Sequence, residues 1–234
     1  MYNGFTITPP FFEIGLKAYL YGRDALRLAR HADEVSQRYG VQVIVTPQYV
    51  DIPLLARELK HVAVFAQHMD SLEPGRGVGS VLPEALKAAG AAGVLLNHAE
   101  KRLSGEQLER ALRRADGIGL ATMVCADTLA DAVAAARLEP NIIIAESPAL
   151  IGGGKRGTAD RRAVAEINEA VWKINPSIRV LHGAGIHCGR DVYEIIAAGS
   201  QAAGSTTGII LAKDPFAMLE EMVHSVREAW DDTH

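Results

Sequence analysis

The chain has 234 residues and a formal net charge of −4, and hydrophobic residues make up 48% of it. This balance supplies no basic field, so we expect neither nucleic acid nor an anionic membrane surface as a partner. The length is enough to bury a sizeable core in one domain or two.

Short β-branched runs alternate with longer segments of helical period from one end of the chain to the other. The predicted strands cover residues 12–16, 41–45, 62–66, 94–97, 121–125, 142–145, 178–181 and 202–206. The predicted helices cover residues 23–38, 51–59, 81–89, 104–116, 128–137, 159–174, 189–199 and 214–229.

This alternation predicts βαβ units in an α/β protein, because parallel strands need a crossover connection between them. Eight such units without a large insertion are typical of a closed (β/α)₈ barrel, although an open doubly wound sheet can also hold eight strands. No linker rich in proline or serine divides the chain, so we predict a single domain over residues 1–234.

The two cysteines, Cys125 and Cys188, lie far apart and form no C-x-x-C pair, so we expect neither a disulfide nor a zinc site. Residues 1–10 lack the pattern of a secretion signal, and no apolar run approaches the ~20 residues of a membrane span. These features predict a cytoplasmic location.

Three side chains that suit proton transfer stand at predicted strand ends. Glu146 ends the run Asn141-Ile-Ile-Ile-Ala-Glu146 and precedes a glycine-rich loop that is expected to close over it as a lid. His98 ends the fourth strand, and Lys17 follows the first. Each alone is more often structural, as a helix cap, a buried histidine or a solvated charge. Functional groups of a barrel meet at the C-terminal strand ends, so together they predict a base, a donor and a cation around one site.

The turns after the seventh and eighth strands are suited to an anion. One contains Gly183-Ala184-Gly185 and the other Thr206-Thr207-Gly208, so backbone N–H groups can approach a ligand closely. In a (β/α)₈ barrel these two turns are the usual place for a phosphate.

Over essentially its full length, the chain resembles the triosephosphate isomerase family, and specifically its shorter archaeal-type branch. The blocks that carry this resemblance are Ala66-Gln67-His68, Val81-Leu82-Pro83-Glu84-Ala85, Leu95-Leu96-Asn97-His98-Ala99-Glu100, Thr122-Met123-Val124-Cys125, Leu150-Ile151-Gly152, His182-Gly183-Ala184-Gly185-Ile186 and Ala212-Lys213-Asp214-Pro215. The resemblance implies a TIM barrel and an aldose–ketose isomerase of glycolysis and gluconeogenesis.

The resemblance also implies roles for particular residues. Glu146 matches the catalytic base, His98 the neutral imidazole that polarises the carbonyl, and Lys17 the cation that stabilises the enediolate. The matching substrate contacts are Gly15, Lys17, Ile151, Gly185, Thr206 and Thr207. No cofactor and no metal is implied, and the loop with Gly75, Gly77 and Gly79 is expected to contact a neighbouring subunit in a homo-oligomer, either a dimer or a tetramer.

One position departs from the family pattern. The family usually has asparagine two residues before the lysine, where this chain has Gly15. The leading hypothesis is interconversion of dihydroxyacetone phosphate and glyceraldehyde 3-phosphate. Two alternatives stay open: an isomerase of the same mechanism for a longer sugar phosphate such as erythrulose phosphate, which could use space freed at position 15, and an impaired paralogue that only binds sugar phosphates.

Overall fold

The computed structural model describes residues 1–146 and 158–234, with backbone only for residues 158–161. Eight parallel strands close into a barrel in the order β1 to β8, with β1 paired to both β2 and β8. The predicted (β/α)₈ barrel is therefore confirmed, and an open doubly wound sheet is excluded because a doubly wound sheet has two free edges.

The strands and helices alternate along the chain. The strands are β1 (Phe11–Gly15), β2 (Gln42–Thr46), β3 (Val62–Ala66), β4 (Gly93–Leu96), β5 (Ala121–Ala126), β6 (Ile142–Ala145), β7 (Arg179–His182) and β8 (Ala202–Ser205). The helices are α1 (Gly22–Tyr39), α2 (Ile52–Glu58), α3 (Pro83–Ala88), α4 (Gly105–Ile118), α5 (Leu129–Ala136), α6 (Thr158–Ile174), α7 (Gly189–Ala197), α8 (Thr207–Ile210) and α9 (Pro215–Thr233). None of the helices within the described ranges has both the length and the apolar character needed to cross a membrane.

Two short elements were not predicted. A 3₁₀ helix covers Tyr49–Asp51, and α8 covers only Thr207–Ile210. Segments of three or four residues are too short to show a helical period, and each begins within three residues of a strand end. The predicted strands differ from those in the structure by one residue at most.

The core has two layers. The larger lies between the strands and the surrounding helices, and the smaller fills the barrel interior. Residues that begin their strands, such as Phe11, Ile142 and Ala202, belong to the interior layer, and Tyr2 and Phe5 from the segment before β1 pack against it. This apolar plug closes the N-terminal end of the barrel and leaves the C-terminal end for a cavity.

Candidate active site

A cavity of about 280 Å³ lies at the C-terminal end of the strands. It brings together almost all of the residues that the sequence predicted for the site: Gly15, Lys17, His98, Glu146, Gly185, Thr206 and Thr207. The remaining one, Ile151, lies outside the described residues, as does the predicted lid around it.

Glu146 follows β6 directly and points its carboxylate into this cavity. Its backbone N–H donates to the carbonyl of Ala126 at 2.9 Å, which extends the pairing of β5 with β6 by one residue. The side chain is 17% exposed. A Cβ atom on Gly183 would lie 2.5 Å from Glu146 Oε1, so the glycine that follows β7 is what leaves room for the carboxylate.

The orientation of the His98 ring is set by the backbone of its own loop. The N–H of Glu100 donates to His98 Nδ1 at 3.1 Å, so in the neutral ring the proton sits on Nε2. That Nε2 lies 3.8 Å from Glu146 Oε2. Burial, and then the positive charge of Lys17, lower the pKa of His98, which keeps the imidazole neutral near pH 7.

Asn97 holds the loop that carries His98. Its backbone has a φ of 61°, a conformation that asparagine tolerates better than most residues. Its side-chain amide donates to the carbonyl of Cys125 at 3.0 Å and accepts from the N–H of Leu103 at 3.1 Å. These two hydrogen bonds tie the start of the loop to β5 and to Leu103 further along it.

Lys17 is held in a similarly constrained backbone conformation, with a φ of 45°. Its carbonyl accepts from the amide of Gln48 at 2.6 Å and from that of Gln67 at 2.9 Å. Its Nζ donates to Glu100 Oε1 at 2.7 Å. The sequence suggested no role for Gln48 or Glu100, although each of them follows a strand end closely.

The turns after β7 and β8 meet on the other side of the cavity. Gly185 has a φ of 65°, and a Cβ atom on Gly208 would lie 2.3 Å from the carbonyl oxygen of Ile186. The hydroxyl of Ser205 donates to the same carbonyl at 3.0 Å. Within the described ranges, no group of three or more His, Cys, Asp or Glu residues is arranged to hold a metal ion.

The space beside Gly15 is occupied by other side chains. A Cβ atom at position 15 would lie 2.5 Å from Thr206 Oγ1 and 3.5 Å from Glu13 Oε1. Glu13 is 8% exposed, and its Oε1 accepts from the hydroxyl of Thr46 at 3.1 Å. Burial, and then the charge of Glu146, raise the pKa of Glu13 to about 8.

Sequence reasoning overlooked Glu13 as a site residue. The signal was present, because an acid interrupts the apolar run Phe11-Phe12-Glu13-Ile14 two residues before Gly15. Successive side chains of a strand point to opposite faces, so residues 13 and 15 share the face that lines the barrel interior.

Comparison with known proteins agrees with this architecture. A family model described as triosephosphate isomerase matches residues 11–208. A triosephosphate isomerase of Methanobacterium bryantii is 39% identical over 220 residues, covering 93% of this chain and 97% of that protein. One of Methanopyrus kandleri is 40% identical over 219 residues, covering 92% and 96%, and one of Sulfolobus acidocaldarius is 34% identical over 226 residues, covering 95% and 97%.

The similarity spans the barrel from its first strand to the turn after its eighth, which is the part of the fold that lines the cavity. The chain belongs to the triosephosphate isomerase family.

Proposed function

We propose that the chain interconverts dihydroxyacetone phosphate and glyceraldehyde 3-phosphate through an enediolate. The observation that carries this proposal is the pairing of His98 Nε2 with Glu146 Oε2 across 3.8 Å, at a cavity that Lys17 also lines. The relatives with 34% to 40% identity all bear the name triosephosphate isomerase, which supports the same substrates.

Glu146 acts as the general base in this proposal. Its carboxylate removes a proton from the carbon beside the substrate carbonyl; the electron pair of the broken C–H bond forms a carbon–carbon double bond, and the π pair of the carbonyl moves onto its oxygen. The proton on the carboxyl exchanges with solvent, and a proton then returns to the former carbonyl carbon. At the same time the neighbouring hydroxyl loses its proton and the former carbonyl oxygen gains one, a transfer that His98 carries out in the family. The Glu146 side chain is only 17% exposed, so little water competes with the substrate carbon for contact with the carboxylate.

His98 and Lys17 stabilise the charge that forms on oxygen. The Nε2–H of a neutral His98 donates a hydrogen bond to the developing enediolate, while Lys17 supplies a positive charge in the same cavity. The triosephosphate isomerase family is itself a known example of a neutral catalytic histidine, so this role is carried over from the family. The lowered pKa of His98 fits it.

The substrate phosphate is proposed to bind where the turns after β7 and β8 meet. Gly185, Thr206 and Thr207 line this part of the cavity, and Ile151 is expected to complete it from the lid. A closed lid would exclude water from the enediolate and so strengthen each electrostatic contact.

Nothing favours the two alternative functions. A longer sugar phosphate was expected to use space freed by Gly15, but Thr206 Oγ1 and Glu13 Oε1 lie beside that position. A protein that only binds sugar phosphates has no use for a base held 3.8 Å from a neutral histidine.

The proposal is tested by assaying the purified protein for isomerisation of triose phosphates and tetrose phosphates in parallel. We expect turnover of dihydroxyacetone phosphate and glyceraldehyde 3-phosphate with a kcat/KM at least about tenfold above that of any tetrulose phosphate. A clear tetrose preference would overturn the proposed substrate, and binding without turnover on any of them would overturn the proposed activity.

Replacing Gly15 with Asn alone should lower kcat/KM by about tenfold or more, even though asparagine is the usual family residue. The new Cβ atom would meet Thr206 Oγ1 at 2.5 Å, so either Thr206 or β1 must shift. Steady-state kinetics of Gly15→Asn and of Gly15→Asn with Thr206→Ala check this. The second change should recover activity relative to the first, and a rise with Gly15→Asn alone would contradict the crowding.

The oligomeric state and the cellular location of the protein are also proposed. We expect a homo-oligomer that uses the loop with Gly75, Gly77 and Gly79, in which the Val78 side chain is fully exposed. A cytoplasmic location is expected from the metabolic role of the family.

A further inference from the structure

Glu13 is a buried acid in the cavity that the mechanism above does not use. It stands in the middle of β1, and its side chain reaches the same cavity as Glu146 and Lys17. An acid in a strand interior has a large desolvation cost when it is charged. Its presence there therefore points to a role for the neutral form.

The two oxygens of Glu13 have different surroundings. Oε1 accepts a hydrogen bond from the hydroxyl of Thr46 at 3.1 Å. Oε2 lies beside Gly204, where a Cβ atom would come within 3.0 Å of it. Among the side chains and backbone groups that the structure describes, none forms a hydrogen bond with Oε2. In the neutral acid, Oε1 is thus the accepting oxygen, and the proton on Oε2 has no protein acceptor among those groups.

Glu13 and Glu146 both line the cavity at this end of the barrel, but they differ in burial. The charged groups that face Glu13 are Glu146 and Lys17, and the Cys125 thiol on β5 lies near enough to feel its charge. Glu13 is the more buried of the two acids, because it is a buried residue whereas Glu146 is partly exposed. Burial and the negative charge of Glu146 both favour the neutral form of Glu13.

We propose that the neutral carboxylic acid of Glu13 donates a hydrogen bond from Oε2 to a substrate oxygen at the cavity floor, and so takes the place of a side-chain donor missing at position 15. This inference rests on the proposed isomerase function and deepens it. The oxygen concerned gains negative charge as the enediolate forms, so the bond strengthens in the transition state.

The position of Glu13 supports the view that its carboxylic acid replaces the asparagine amide that the family usually has at position 15. The Glu13 carboxyl reaches to within 3.5 Å of where a Cβ atom of residue 15 would stand, so it occupies the region that a longer side chain there would enter. Glycine at both 15 and 204 is required for this, because a side chain at either position would press on Glu13 or on Thr206.

The test compares Glu13→Gln and Glu13→Leu with the wild-type protein across pH 6 to 10. Leucine fills a similar volume without a donor, so kcat/KM at pH 7 should fall about 10²-fold. Glutamine keeps a neutral donor, so kcat/KM at pH 7 should stay within about tenfold of the wild type. Met123→Ala is the matched control, because it also alters the barrel interior but lies outside the cavity lining.

The dependence of kcat/KM on pH distinguishes a hydrogen bond donated by Glu13 from a purely structural role of this residue. Above pH about 8, Glu13 ionises in the wild type, which removes the donor and adds a negative charge beside the enediolate, so kcat/KM should fall about tenfold per pH unit. Glu13→Gln should lack this fall, and Met123→Ala should keep it. A fall that persists in Glu13→Gln, or full activity in Glu13→Leu at pH 7, would overturn the inference.

A spectroscopic measurement keeps the test valid if Glu13→Leu does not fold. Infrared difference spectra of wild type against Glu13→Gln should contain a protonated carboxylic acid band at pH 7 that disappears above pH about 8. An ionised Glu13 at pH 7 would overturn the inference whatever the kinetics. A wild type without isomerase activity would instead overturn the proposed function, so the two failures are distinct.

Discussion

Replacing Glu146 with Gln should lower kcat by about 10³-fold or more while KM changes little. The amide has nearly the same shape as the carboxylate but cannot accept a proton from carbon, and general base catalysis contributes about 10²- to 10⁴-fold in enzymes. A loss confined to kcat is the signature of an interaction made only in the transition state. Steady-state kinetics with dihydroxyacetone phosphate measure both constants.

The control for this variant is Glu169→Gln, an identical chemical change on the exposed side of α6. It should behave as the wild type does. If Glu146→Gln retained more than about one tenth of the wild-type kcat, another group would have to be the base, and the role proposed for Glu146 would be wrong.

Replacing Glu13 with Gln should change how stability depends on pH. In the folded chain the pKa of Glu13 is about 8, whereas its ordinary value is 4.5. Between these pH values the folded state holds one proton more than the unfolded state, so wild-type stability falls as pH rises and levels off above about pH 8. Glutamine cannot ionise and escapes this loss. The variant should therefore gain about 4 to 5 kcal/mol relative to the wild type between pH 4.5 and pH 8.

Urea unfolding at several pH values measures this difference, with Glu100→Gln as the comparison. Lys17 holds the pKa of Glu100 below its usual value, so the contribution of Glu100 is fully present above pH 4.5 and is lost only as pH falls below it. The stability difference for Glu100→Gln should thus stay constant from pH 5 to pH 8. A constant difference for Glu13→Gln over the same range would mean that Glu13 is ionised in the folded chain.

The barrel was predictable because its signals are local and repeated. A strand such as Ile142–Ala145 is a short β-branched run, and its neighbours along the chain show helical period, so each unit could be recognised separately. Parallel pairing then follows from the crossovers. The short helix α8 could not be predicted in the same way, because four residues carry no period.

The site was predictable only where a residue follows a strand end or matches the family. Glu146, His98 and Lys17 meet both conditions, and the structure has them at one cavity, although their roles remain predictions. The contact that turns the His98 ring is a backbone N–H, which no side-chain pattern reveals. Glu13 was overlooked because its influence depends on how far its side chain reaches along the barrel, which a strand pattern does not specify.

In the proposed mechanism, a carboxylate and a neutral histidine at one cavity move a proton to and from carbon. The most direct measurement is turnover of dihydroxyacetone phosphate in heavy water, with the product examined by nuclear magnetic resonance. Proton transfer through Glu146 predicts solvent deuterium on the carbon that becomes protonated, since a carboxyl proton exchanges with water. Product formed at full rate without any solvent deuterium at that carbon would mean that the proton does not pass through the carboxyl group of Glu146.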